Sequence, residues 1–395
     1  MRIGTPPDRG GWPVRPAAGS QTVNVLHVVR QFSPSVGGIE SAVMALCGRL
    51  RRRGHACEIV TLGRLWDHAH PLASTDIVEG LRVHRIPFVG GRRYFLAPGI
   101  LKFASGHTII HVHAIDFFLD FLAATRWRHR TPFVVSTHGG FFHTGWALAA
   151  KRVYFHTVTR LALTQAAKVI CDSAQDDRLF APVVPARKRV TISNGVEDVF
   201  FQVRKSVDPG LLVMVGRVAG HKGIDRAILL LPRIRRAIPD ARLVIVGPDA
   251  EGLRASLEGL ARERGVAAGV TFAGAVEGAA LTEYLARAHL VLAPSAYEGF
   301  GIAVIEAMAS GSLVIGNTIE AHRELIQPDV NGILVDFGDE ERAAEVVVQA
   351  LRFPAAHLAG LGERARAAAA RFGWDLVVDR VERVYRESAT AEARG

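Results

Sequence analysis

The tightest constraint on this chain is an alternation of buried strand, glycine turn and amphipathic helix that begins at residue 23. Val23 to Val29 (Val-Asn-Val-Leu-His-Val-Val) is β-branched and apolar, as a buried strand must be. A turn with Gly37 and Gly38 follows, then a helix expected over Ser41–Arg53 and stopped by Gly54, then a strand at Cys57–Thr61. Such a βαβ unit binds ligands at the carboxyl ends of its strands. Gly37-Gly38 departs from G-x-G-x-x-G, so a dinucleotide fingerprint is absent, while close backbone approach to a phosphate or sugar stays open.

The alternation continues, with strands expected at Val83–Ile86, Ile109–Val112, Phe133–Thr137, Lys168–Cys171 and Val190–Ile192. Helices are expected at Phe117–Arg128 and about Trp146–Ala167. The polar stretch Gln202–Pro209 reads as a linker. A second series then places strands at Leu211–Val215, Arg242–Val246, Val270–Phe272, Leu290–Ala293, Leu313–Ile315 and Ile333–Val335. Helices fall between them at Ile224–Ile238, Leu253–Arg264, Leu281–Ala286 and Ile302–Met308, with alanine-rich helices at Glu341–Leu351 and Leu358–Arg371. The fold class is therefore α/β, two successive parallel-sheet domains with facing edges. Residues 1–20 are expected to be a disordered leader, 21–205 and 206–371 the two domains, and 372–395 a helix returning to the first domain.

Composition limits what such a chain can meet. A length of 395 residues suits two domains, and no apolar run reaches the roughly 18 residues of a membrane span. The leader lacks the apolar core of a signal peptide. Cys47, Cys57 and Cys171 stand at unrelated spacings, which suggests reduced thiols in the cytosol and no metal site. The net charge of +10 points to an anionic partner. Its clusters are Arg49–Arg53, Arg92-Arg93 and Arg126–Arg130; Tyr94, Phe95, Leu96 and Ile100 after the second suggest a segment for an anionic membrane surface. No zinc-finger spacing or RNA-binding aromatic signature is present, so nucleic acid is not an expected partner.

Three places carry candidate chemistry. In the first series, polar residues close each strand: His111 and His113, Thr137-His138-Gly139-Gly140, Asp172-Ser173 and Asn194-Gly195. Polar groups along one sheet edge mark a cleft, and the glycines after His138 bare its surroundings. In the second series, Tyr297 to Gly311 joins two apolar runs, and Gly299 and Gly301 let the backbone approach a ligand before the helix begins. Free amides at that helix start make an anion site, with Glu298 before it and Glu306 about one turn deeper. Gly216-Arg217-Val218-Ala219-Gly220-His221-Lys222-Gly223 is no P-loop, but its Arg217 can fork onto phosphate oxygens and Lys222 can add a point charge. Each loop alone is also compatible with a surface turn bearing solvated charges.

Taken together, Glu298 and Glu306 as E-x7-E within Glu-Gly-Phe-Gly, Gly216-Arg217 with Lys222-Gly223, Gly37-Gly38, and Asn194-Gly195-Val196 resemble the family 4 retaining glycosyltransferases. The resemblance runs over most of the chain from Val23. A narrower similarity, to the mannosyltransferases of xanthan- and acetan-type exopolysaccharide assembly, is carried by His27–Pro34 and Ser136–Thr144. The resemblance implies a GT-B architecture, two Rossmann-like domains around an interdomain cleft that holds a sugar nucleotide. It implies that Arg217 and Lys222 bind the donor diphosphate, Glu306 the ribose hydroxyls and Glu298 the donor sugar. Amides of Phe300, Gly301 and Ile302 would meet sugar and phosphate, Gly37 and Gly38 would face the phosphates, and His138 would approach the transferred sugar. Many relatives have Leu-Pro after Glu-Gly-Phe-Gly where this chain has Ile302-Ala303.

The expected activity is retaining, metal-independent hexosyl transfer, mannose from GDP-mannose to a polyprenyl-diphosphate-linked or other glycan, in polysaccharide biosynthesis. The absence of a D-x-D triplet gives no sign of a metal bridge, and no cofactor is expected beyond the sugar nucleotide. The expected location is the cytoplasm, peripheral on the inner face of the membrane. Alternatives are a sugar-nucleotide epimerase of the same plan, a UDP-sugar-dependent family 4 transferase, and a non-catalytic sugar-nucleotide-binding partner of a polymer synthase.

Overall fold

A computed structural model describes residues 22–392 apart from 36, 67, 69, 93, 139–147 and 277. The expected leader, the segment after His138 and the start of the helix expected at Trp146 lie outside the described residues. So does Glu277, at the end of a loop, Gly274–Glu277, in which donor selectivity is expected.

The first sheet is built from β1 (Asn24–Val29), β2 (Ala56–Leu62), β3 (Thr75–Val78) and β4 (Leu81–Ile86), a short hairpin β5 (Val89–Gly90) and β6 (Phe95–Leu96) standing apart. It continues through β7 (Ile109–His113), β8 (Phe133–Ser136), β9 (Lys168–Cys171) and β10 (Arg189–Thr191). Its order is β10-β9-β8-β7-β1-β2-β4-β3, parallel except for the antiparallel edge strand β3. The second sheet takes β11 (Leu211–Val215), β12 (Arg242–Val246), β13 (Val270–Gly274), β14 (Leu290–Ala293), β15 (Val314–Asn317) and β16 (Ile333–Val335) in the order β13-β12-β11-β14-β15-β16, all parallel. Counted within its own half, that is the doubly wound order 3-2-1-4-5-6. The strand order reverses between β11 and β14, and in the first sheet between β1 and β7. Loops leaving such neighbours part in opposite directions and open a crevice at the strands' carboxyl ends.

Both sheets carry apolar side chains on each face, which explains their near-continuous hydrophobic strands. The helix Trp374–Glu392 returns to the first sheet. Trp374, Val378, Val381 and Tyr385 recur at helical spacing and are buried with Val25, Val134 and Ile170. Gly195 and Trp374 meet where the chain crosses between the halves, and Val196 N donates to Phe372 O at 2.8 Å.

Several expectations are corrected. The first helix spans Gly38–Arg52, three residues earlier than expected, so Gly37 caps it and Gly38 is its first residue. The helix expected over Phe117–Arg128 stops at Ala124, where the Thr125 hydroxyl donates to Phe121 O at 2.6 Å, and resumes at Arg126–His129. The stretch read as a linker is anchored: Lys205 Nζ donates to the carbonyls of Leu285 and Ala288 and to the Ser312 hydroxyl, at 2.5, 3.0 and 2.9 Å. Burial pulls its ammonium down to about 7. The Arg49–Arg53 cluster is partly turned inward, with Arg49 on Glu197 and Arg53 on Asp375, Asp379 and Glu382. Phe95 and Ile100 belong to the core and not to a membrane-facing strip. Cys47 and Cys57 are brought together despite their spacing, whereas Cys171 lies on the opposite face of the sheet.

Candidate active site

The loops after β11 and β14 form the crevice of the second sheet. Gly216, at φ 142°, turns the chain out of β11, and Gly247 passes so close that a Cβ there would lie 2.0 Å from Gly216 O. A 3₁₀ turn over Gly220–Lys222 ends at Gly223, φ 66°. Ala296 N donates to His221 O at 2.8 Å and ties the two loops together. This stitching places Lys222 Nζ 2.7 Å from Glu298 Oε1, and the Ser295 hydroxyl donates to the same oxygen at 2.7 Å. Both charged side chains are largely covered, at 16% and 14% exposure. They are one unit, because opposite charges in a partly desolvated cleft attract strongly. Arg217 stands exposed at the mouth and has no ion-pair partner among the described residues. Gly216, Arg217, Lys222, Glu298 and Ala303 line an open cleft.

Beyond Glu298 the chain turns through Gly301, φ 88°, into the helix Ile302–Ala309, which has no side-chain cap. Val304 N and Ile305 N return to Gly301 O, while Ile302 N and Ala303 N have no described acceptor. The Phe300 ring stands edge-on to Phe372, centroids 5.4 Å apart, and holds the turn in place. Glu306 lies one turn along. Burial first, then the nearby Glu197 carboxylate, pushes its carboxyl up to about 7. Glu197 itself is gripped by Arg49 through two bonds of 3.3 and 2.8 Å.

A raised carboxyl pKa favours the fold fully below the ordinary value near 4.5, and this contribution is lost as pH rises through about 7. Glu306→Gln is therefore expected to be more stable than the parent at pH 8, by up to about 3 kcal/mol, with the difference vanishing near pH 4. Thermal melts at the two pH values check this; equal melting temperatures at pH 8 would remove Glu306 as the titrating group.

At the edge of the first sheet, Gly37 adopts extended backbone and Gly38 is exposed. A Cβ on Gly38 would meet nothing within 4 Å, so nothing in the protein itself requires glycine there. His138 does not stand alone: its Nε2 lies 3.0 Å from His113 Nδ1, and its Nδ1 3.3 Å from Asp172 Oδ2. Asn194 Nδ2 donates to the same Asp172 oxygen at 3.3 Å. Ala114, one residue past β7, and His138, two past β8, have φ of 113° and 53°, backbone strain of the kind that collects at functional sites. Asp176 accepts from the Thr137 hydroxyl, and burial above all pushes its carboxyl up to about 6. The two edges face one another: Glu324 accepts from the amides of Ala174 and Gln175 at 3.3 and 3.0 Å.

Arg217, Lys222 and Glu298 thus share one cleft, Phe300, Gly301 and Ile302 lie at the start of the adjoining helix with Glu306 buried one turn into it, and Gly37, Gly38 and His138 lie on the first half. Ser295, Asp172 as the partner of His138, and Asp176 are additions. Ser-x-x-Glu at 295–298 and the capping pattern Ser-x-x-Asp at 173–176 were the available signals, and the latter is realised as Asp176 N donating to Ser173 Oγ at 3.1 Å.

A family model described as Glycosyltransferase Family 4 matches residues 36–199, and one described as Glycosyl transferases group 1 matches 196–368. The chain is 33% identical over 374 residues to a GDP-mannose:cellobiosyl-diphosphopolyprenol alpha-mannosyltransferase of Komagataeibacter xylinus, covering 93% of this chain and 94% of that one. It is 36% identical over 363 residues to the protein of the same name from Xanthomonas oryzae pv. oryzae, covering 91% and 95%. Sucrose-phosphate synthase from Thermosynechococcus elongatus shares the fold, with a TM-score of 0.73 over 93% of this chain and 100% of that one at 22% identity. With the two facing Rossmann-like sheets and similarity along nearly the whole of both relatives, the chain belongs to glycosyltransferase family 4 and has the GT-B architecture.

Proposed function

We propose that this chain transfers mannose from GDP-mannose, with retention of configuration and without a metal ion, to a glycan on a polyprenyl diphosphate. The observation that carries the reading is the crevice lined by Arg217, Lys222 and Ala303, beside a helix start whose first amides, Ile302 N and Ala303 N, have no acceptor among the described residues. The printed activity of the relatives, similar over more than nine-tenths of this chain, supports the donor and acceptor class. In the reaction, the bond between the anomeric carbon and the diphosphate oxygen breaks as the sugar becomes oxocarbenium-like. Arg217, Lys222 and the amides meet the charge that grows on the leaving oxygen. The acceptor hydroxyl attacks from the same face, and its proton passes to the departing phosphate. Glu298 holds the donor sugar, Glu306 accepts from the ribose hydroxyls, and Phe300, Gly301 and Ile302 supply amides. Gly37 and Gly38 admit the phosphates from the opposite edge. His138, with both ring nitrogens engaged, positions the sugar and is not the general base. In this division of labour residues 21–205 are the acceptor side and 206–371 the donor side.

The test is incubation with a panel of GDP- and UDP-sugars, with and without a membrane lipid extract, followed by product mass. A hexose added to a lipid-linked glycan only with GDP-mannose is the expected result. Conversion of the sugar nucleotide without acceptor would identify an epimerase, and binding without turnover a non-catalytic partner.

No helix among the described residues is long and apolar enough to cross a membrane. The proposed contact with lipid, at the inner face of the cell membrane, is a surface patch on the first half. Val89, Tyr94, Leu96, Trp127 and Leu161 are exposed there, Trp127 at 73%. Tyr94 rests edge-on against Phe117, and the helix that Phe117 begins packs against Arg160–Gln165. The basic run Arg126–Arg130 surrounds Trp127. Binding to vesicles with anionic lipid is expected to fall as salt rises, and Trp127→Ser with Leu161→Ser to weaken it about tenfold or more, each buried large side chain contributing about 1.5 kcal/mol or more. Flotation assays measure this; equal binding to neutral and anionic vesicles would remove the electrostatic part.

A further inference from the structure

Beneath the strand ends lies a cluster that the transfer reaction does not use. β1 and β2 pair in parallel with Val25 opposite Cys57, so Cys57 and His27, two residues beyond Val25, share one face of the sheet. The helix Gly38–Arg52 lays Cys47 over that face. One ligand atom from each of His27, Cys47 and Cys57 lies within 4.8 Å of the other two. All three residues are buried, His27 and Cys47 completely.

The hydrogen bonds around His27 fix what it offers this cluster. Asp172 supplies only lone pairs to His138 Nδ1, which therefore carries the proton. His138 Nε2 then accepts from His113 Nδ1, and His113 Nε2 in turn accepts from His27 Nδ1, each at 3.0 Å. A neutral ring has one proton, so His27 Nε2 is left with a bare lone pair. It is buried and geometrically unpaired among the described residues, with the Cys57 thiol as its neighbour in the cluster. Two thiols and a bare imidazole nitrogen are the donor set of a soft or borderline cation.

We propose that His27, Cys47 and Cys57 bind a divalent cation of the Zn²⁺ class, with His113 and His138 forming a hydrogen-bonded chain from that site to Asp172 at the cleft. On binding, both thiols release their protons to solvent, and two thiolates cancel the charge of the ion, so the buried site is neutral. A ligating imidazole whose other nitrogen donates to an acceptor is the usual outer arrangement of such sites, and His113 provides it. His27, His111 and His113 also lie within 4.8 Å of one another. That set is already committed: His111 holds the Tyr385 and Ser136 hydroxyls at 2.7 and 2.8 Å, and both nitrogens of His113 are engaged.

The full chain, produced in medium supplemented with Zn²⁺ or with Co²⁺ and purified without chelator, tests the proposal. Expected are about one ion per chain by native mass spectrometry and, for Co²⁺, thiolate-to-metal charge-transfer absorption. Cys47→Ala and Cys57→Ala should each cut occupancy about tenfold or more, and Cys171→Ala, on the opposite face, should leave it unchanged. The unsubstituted protein decides the matter even if those variants do not fold. Metal-free protein from both media, metal bound without thiolate absorption, or a Cys47–Cys57 disulfide would each overturn the site.

Discussion

Replacing Lys222 with alanine is expected to lower kcat by about a hundredfold or more, the usual loss when one preorganised donor to a developing anion is removed, about 2.7–4 kcal/mol. Lys222 is held by Glu298 and is thus already fixed in direction before donor arrives. That pairing creates an ambiguity which a second variant resolves. Removing the ammonium strands a largely covered carboxylate, which disturbs the site in its own right. If Lys222 served only to neutralise Glu298, the double variant of Lys222→Ala with Glu298→Gln would be no slower than Glu298→Gln alone. If it meets the leaving diphosphate, the double variant is slower than Glu298→Gln alone by about a hundredfold. Arg217→Ala should show a loss of the same order without the change in stability, because Arg217 is exposed and outside the Lys222–Glu298 pair. Steady-state kinetics on folded, purified variants measure each of them, and near-parental kcat in Lys222→Ala would refute the assignment of the leaving-group site.

Gly195→Ala is expected to destabilise the protein by roughly 3 kcal/mol or more, the upper range for overpacking a filled core. The new Cβ would lie 2.2 Å from Trp374 Cδ2. The indole has little room to yield, being buried at 4% exposure with the Arg49 guanidinium 5.1 Å from its ring centre. Displacing Trp374 loosens the first turn of the helix Trp374–Glu392, whose apolar face completes one core of the first sheet. Proteolysis should therefore cut near residues 372–376 before elsewhere, and the melting temperature should fall. Trp374→Leu introduced with Gly195→Ala should recover part of the stability by making room, and a double-mutant cycle measures the coupling. A Gly195→Ala protein with the parental melting temperature would mean that the backbone there moves freely.

The elements of both sheets were legible because a strand covered on two faces must be apolar along its length, and a helix on its surface must be apolar on one side. Leu211–Val215, Leu290–Ala293 and Ile333–Val335 match the expected strands residue for residue. The short edge strand β3, the hairpin β5–β6 and the helix Glu320–Leu325 were not legible, and the helix Ala174–Phe180 was marked only by its capping pattern. They are brief and mixed in polarity, and neighbours stabilise them more than their own periodicity does.

The order of residues along the chain determined which loops carry the candidate groups. Strand, glycine, cation and strand, glutamate, glycine, helix are local patterns, and the geometry of one turn is set by residues a few positions apart. Tertiary structure alone decided which of those groups meet. Lys222 pairs with Glu298 because β11 and β14 are neighbours at a reversal in strand order, although 76 residues separate the two side chains. His27, Cys47 and Cys57 converge because the register of β1 on β2 and the seat of one helix put three distant donors on one buried face. Whether a charge is solvated, paired or stranded depends on what lies across that gap, and only the packed chain supplies the other side.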